Sequence, residues 1–253
     1  MNLDSASLSI LLPAFVVGLL VTATHVPLGM QVLARGIVFI DLAVAQIAGV
    51  GVILADFLGW EPQGLAVQVA ALSAALAGAF LLTWTERRWP DLQEAIIGVA
   101  FVLASSIGLL LLAKNVHGGE HLKELLLGQI LWVNPDRLPM QALIAAIILA
   151  AWFGFGARLG RIGFYALFAC AVTASVQLVG LYLVFATLVI PALATCYDKN
   201  GRRHLKSYLV GVIGYAAGLA ASAATDLPTG AMIVCALALT GGAAAWFGRC
   251  GRA

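Results

Sequence analysis

The sequence predicts an all-α protein, a polytopic integral membrane bundle of about 8–10 transmembrane helices. Three observations carry that expectation. Hydrophobic residues make up 62% of the chain and charged residues only 10%, whereas a soluble domain carries roughly 25% charged residues. The apolar residues fall in runs close to the ~20 that cross a bilayer as a helix. The breaks between runs are short and polar, or rich in Gly and Pro: GWEPQG, ERRWPD, KNVHGGEHLKE, NPDRLP, ARLGRIG, YDKNGRRHLK and TDLPTG. A water-soluble globule is excluded, and 253 residues leave no room for a separate soluble domain. Residues 1–253 are therefore expected to form a single transmembrane domain. Nucleic-acid binding has no support, because the net charge is only +2 and the basic residues sit in short membrane-flanking loops.

Taken in order, the runs cover about 8–25, 36–57, 63–85, 92–113, 138–156, 163–178, 180–197, 207–224 and 230–247. Nine spans is the preferred count, with Pro27–Ala34 as an additional half-span. The N-terminus, MNLDSASLSI, has no Lys or Arg, so the first span is expected to be retained rather than cleaved as a signal peptide. Pro191 removes a backbone donor within LYLVFATLVIPALA and is expected to kink its helix. Small residues at four-residue spacing, Ala45–Gly49 and Gly214–Gly218, let helix backbones approach closely in lipid. Residues Gly118–Gly128, GGEHLKELLLG, read as a short helix at the outer interface. Cys170, Cys196, Cys235 and Cys250 have neither metal nor disulfide spacing.

Charge sets the expected orientation. If the spans alternate, Lys114, Lys123 and Arg137 fall on one side and the other Lys and Arg residues on the opposite side. The positive-inside rule makes the second group cytoplasmic, which puts the C-terminus inside.

Few residues in these runs can carry chemistry. Asp41 lies inside the apolar run that follows Arg35. A carboxylate at mid-bilayer costs ~2.5–3.5 kcal/mol on insertion scales, so it is expected to face other protein or a wet path. Ala45 and Ala48 share its helix face and leave space beside it. Gln46, five residues on, is about 140° round the helix, so the pair needs a helix break or ligands from another helix to hold one ion. The outer loop holds His117, Glu120 and His121 as H-x-x-E-H, a pattern known from inverted zinc proteases. Gly118 and Gly119 weaken a helix between the two histidines, and a metal-catching mouth or an ordinary solvated loop fits better than a protease. His25, before Pro27, reads as a packed histidine at a membrane end, and His204 as part of a basic inner loop. No phosphate loop of the form G-x-x-x-x-G-K-[ST] occurs. Any pumping must draw its energy from a partner or an ion gradient, and the chain is not expected to be an enzyme.

The stretches PLGMQVLARGIVFID, EAIIGVAFVLASSIGLLLL, ELLLGQILWVNPD, VQLVGLYLVFATLVIPALA and TDLPTGAMIV, in this order and across most of the chain, resemble the permease subunits of zinc/manganese/iron ABC transporters. Pro27, Leu28, Gly29, Arg35, Asp41, Gly128, Gly180, Pro191, Asp226, Pro228 and Gly230 fall where that family has similar residues. The resemblance implies a homodimeric permease in the bacterial inner membrane that binds no cofactor of its own. Two cytoplasmic ATP-binding subunits would use the ATP, and an extracytoplasmic binding protein would deliver a divalent metal. Asp41, with Gln46, would line the metal path, His117 and His121 its outer mouth, and the loops at 157–162 and 198–206 would meet the ATPase. The sequence departs from the family twice. The family has a His four residues after its Asp, where this chain has Ala45, and the cytoplasmic segment before residue 163 has shrunk to GARLGRIG. The alternative function is a gradient-driven cation carrier or channel that uses Asp41.

Overall fold

The computed structural model describes residues 5–60, 64–113, 126, 128–155, 158, 160–198 and 202–250. Nine α-helices occur among them: α1 (Ser5–Arg35), α2 (Ile40–Phe57), α3 (Leu65–Arg88), α4 (Gln93–Leu112), α5 (Leu138–Phe155), α6 (Gly160–Val179), α7 (Leu181–Ala194), α8 (Arg203–Thr225) and α9 (Thr229–Cys250). Eight of the described helices are long and apolar enough to cross a membrane. The exception is α7, whose 14 residues reach only about 21 Å at 1.5 Å each, short of the ~30 Å hydrocarbon core. Large apolar side chains cover the outer faces. Leu110, Leu239 and Phe80 are 73%, 76% and 68% exposed, as suits surfaces that meet lipid rather than water.

Three boundaries differ from the sequence expectation. The half-span at Pro27–Ala34 is not separate, because α1 continues through both Pro13 and Pro27 to Arg35. The helix α6 begins at Gly160 (φ +57), so the expected loop at 157–162 is shorter still. The helix α8 begins at Arg203, which takes the basic residues Arg203–Lys206 out of the loop at 198–206. Lys206 there pairs with Asp198. Most of the GGEHLKELLLG segment, with His117, Glu120 and His121, lies outside the described residues.

The chain packs as two compact units. The first comprises Met1–Arg35, Leu127–Ile147 and Leu178–Ala253. Within it, α1 packs against α7 and α8, and α9 packs against α7 and α8. Glycines set these approaches. A Cβ on Gly29 would overlap the Leu188 carbonyl of α7, and one on Gly218 would overlap the Ile233 backbone of α9. Gly128 (φ +66) lies directly on the backbone at Val179–Gly180. At the turn from α8 to α9, Asp226 adopts a left-handed conformation. The Ser222 hydroxyl closes that turn by donating to the Leu227 carbonyl at 2.8 Å and lying 2.7 Å from Thr229 Oγ1.

The second unit comprises Gly36–Leu126 and Ile148–Gln177, and within it α2 packs against α3 and α4. Close approach again uses small residues: Gly51 lies against the Ala70 carbonyl and Gly78 against Ile47. Gln93 ties the α3–α4 corner together. Its amide donates to the Leu82 carbonyl at 2.9 Å and to Tyr165 Oη at 3.3 Å, and it accepts from Thr85 Oγ1 at 3.0 Å. All three of Gln93, Thr85 and Tyr165 are buried.

Candidate functional site

The sequence between α1 and α2 explains where Asp41 ends up. Gly36 takes φ +70, a conformation that glycine adopts without steric cost, and this stops α1. The Ile40 amide then donates to the Ile37 carbonyl at 3.2 Å. The Phe39 amide donates to Glu94 Oε1 at 3.2 Å, which ties the start of α2 to α4. Asp41 is thus in the first turn of α2, at one end of the helix rather than midway along it. A negative charge there is favoured by the helix dipole.

Asp41 is nevertheless 0% exposed, and neither carboxylate oxygen has a hydrogen-bond partner among the described residues. Buried carboxylates are normally paired or hydrogen-bonded. One with both oxygens uncommitted can accept a proton or ligate a cation as a hard oxygen donor. Ala45 and Ala48, one and two turns on, are buried at 4% and 1%. Gln46 is half-buried. The helix runs unbroken from Ile40 to Phe57, so Asp41 and Gln46 keep their offset of about 140° and leave α2 in different directions. In the same unit, Thr173 Oγ1 of α6 is also buried without a partner among the described residues. No group of three or more His, Cys, Asp or Glu among the described residues could hold a metal ion. Cys170, Cys196 and Cys235 are free.

One residue that the sequence reading set aside stands out in the first unit. His25 is 0% exposed. Its Nδ1 lies 3.0 Å from the Val21 carbonyl oxygen and 3.0 Å from Thr24 Oγ1, while Nε2 is buried without a partner among the described residues. A polar side chain inside an apolar run, the signal that singled out Asp41, also marks THVP at residues 24–27.

Eight of the described helices are long and apolar enough to cross a membrane, which makes this a multi-pass integral membrane protein. The chain matches the ABC 3 transport family over residues 7–160 and 149–247, and it belongs to that family. It is therefore a membrane-spanning permease, a transport component rather than a catalyst. An uncharacterized membrane protein of Synechocystis, slr2045, is 26% identical over 242 residues, covering 87% of this chain and 84% of that protein. Two solved structures share the fold. PsaBC from Streptococcus pneumoniae, in complex with Fab, has a TM-score of 0.73 at 20% identity, over 93% of this chain and 89% of that one. A transporter described as an ABC transporter of the metal-chelate type, in an inward-facing conformation, has a TM-score of 0.68 at 16% identity, over 97% of this chain and 90% of that one.

Proposed function

We propose that this chain is the permease of an ABC importer for a divalent metal ion, zinc, manganese or iron, and that Asp41 lines the path the ion takes. The observation that carries this reading is a fully buried carboxylate, in a helix long enough to span a membrane, with neither oxygen committed. A cation in transit supplies the partner that the protein itself withholds. The description of one structural neighbour as a metal-chelate type transporter supports a metal-containing cargo. Carboxylate oxygen suits manganese and other hard ions, while zinc favours His and thiolate. Gln46 contributes at most from another side of α2, and His117 with His121 would capture ions at the outer mouth.

In this reading residues 1–253 act as one permease domain. Two copies pair, and each meets a cytoplasmic ATP-binding subunit through the segments 157–162 and 198–206. An extracytoplasmic binding protein delivers the ion. The protein sits in the bacterial inner membrane with its C-terminus in the cytoplasm, as its basic residues favour. ATP is used by the partner, and the metal is substrate rather than cofactor. The gradient-driven carrier reading shares Asp41 but has no observation of its own in its favour, and ABC family membership argues against it.

The test is uptake of zinc, manganese and iron in cells with and without the gene. The expected result is uptake of at least one metal that needs both the gene and a functional ATP-binding subunit. Uptake that persists when the ATP-binding subunit is inactivated would favour the carrier.

A further inference from the structure

In the first unit, Gly18, Thr22, His25 and Gly29 follow one another at spacings of four, three and four, so they form a single stripe along α1. That stripe is the face that meets α7 and α8. Gly18 lies under the Tyr215 ring, Thr22 against Gly211, and Gly29 against the Leu188 carbonyl. His25 is therefore held on the packed side of α1, between two places where the helices approach most closely.

The hydrogen bonds fix which face of its ring is available. The Val21 carbonyl can only accept, so Nδ1 carries the proton of the neutral imidazole and Nε2 carries a lone pair. Thr24 points to the Leu20 and Val21 carbonyls, at 3.2 and 3.1 Å, and Tyr208 Oη donates to the Ala23 carbonyl. Polar groups around His25 are thus matched. Among the described residues, His25 Nε2 and Thr22 Oγ1 are buried and both are without a partner. Residues three apart on a helix are side-chain neighbours, so an uncommitted nitrogen and an uncommitted oxygen share one turn of α1.

We propose that His25 Nε2, with Thr22 Oγ1 three residues earlier on the same stripe of α1, is a transient ligand position for the transported metal within the first unit. An imidazole nitrogen suits zinc and other borderline ions better than manganese, so this position weights selectivity toward them. Two donors hold an ion only in passage. The inference rests on the proposed metal cargo.

The test compares the intact transporter carrying His25→Asn or Thr22→Val with the wild type. Asn can still donate to the Val21 carbonyl but has no second ring nitrogen. Val keeps the shape of Thr, and the hydroxyl it removes makes no hydrogen bond. Membrane levels should match the wild type. The KM for zinc uptake should rise at least tenfold in His25→Asn and about threefold in Thr22→Val, with the KM for manganese changed less than threefold in both. Unchanged zinc KM values, or equal shifts for both metals, would overturn the proposal, and if His25→Asn fails to accumulate, Thr22→Val decides alone. If the wild type takes up no divalent metal, the metal-importer reading itself fails. Titration of the purified full chain with zinc alone then decides on His25: an at least tenfold weaker Kd in His25→Asn upholds the ligand, and an unchanged Kd removes it.

Discussion

The Tyr208 hydroxyl lies 3.2 Å from the Ala23 carbonyl oxygen and donates to it. Ala23 is four residues before Pro27, so its carbonyl is the one that a helical N–H at position 27 would have satisfied. A phenol 185 residues away along the chain supplies the donor that proline lacks, and α1 runs on through Pro27 to Arg35. Replacing Tyr208 with Phe leaves that carbonyl unsatisfied. It should destabilise the protein by about 1–3 kcal/mol, read as a lower thermal midpoint in detergent. The double variant Tyr208→Phe, Pro27→Ala should recover much of the loss, since the substitution at Pro27 restores a backbone N–H that can donate to the Ala23 carbonyl. No recovery would show that the Tyr208 hydroxyl stabilises through something other than its bond to the Ala23 carbonyl.

Two glycines separate packing from helix propensity. Gly29→Ala should be strongly disruptive, because the new methyl meets backbone at Leu188 that cannot rotate away. Overpacking of this kind costs roughly 1–3 kcal/mol or more. Gly98→Ala in α4 meets nothing within 4 Å and should stabilise by about 0.5–1 kcal/mol. Thermal midpoints of the two variants, purified side by side, should move in opposite directions.

The second unit has its own polar hub at Gln93. Gln93→Leu removes three hydrogen bonds at this corner, those that its amide donates to the Leu82 carbonyl and to Tyr165 Oη and the one that it accepts from Thr85 Oγ1. A loss of about 1–3 kcal/mol is expected, with faster protease cleavage at the α3–α4 corner as the local readout. Thr85→Val added to Gln93→Leu should cost less than the two single losses together, because residues sharing one network are not additive. Strict additivity would mean that the two do not act as a unit.

Much of this architecture was legible from hydropathy and punctuation. Each of the nine apolar runs corresponds to a helix, because Gly, Pro and charge interrupt the sequence where the helices end. The misplaced boundaries share a cause. Hydropathy stops counting at Arg203–Lys206, yet these residues continue a helix readily. It likewise reads Pro27 as a break, because the donor that repairs it comes from Tyr208 on a distant helix. Asp41 stood out in the sequence as an acid among apolar residues. Its place in the first turn of α2 did not, since that depends on the positive φ of Gly36. Nor could the sequence reveal that its oxygens go unpaired. His25 was visible as a letter, but its fixed tautomer and bare Nε2 needed the Val21 carbonyl to be located in space.

The measurement that bears most directly on the transport account is metal uptake by Asp41→Asn, with membrane insertion checked in parallel. Asn matches Asp in size but cannot carry the negative charge that would hold a cation. Uptake should fall to the level of cells lacking the gene, while the variant reaches the membrane in normal amount. Uptake at the wild-type rate would contradict the account and reduce Asp41 to a structural residue.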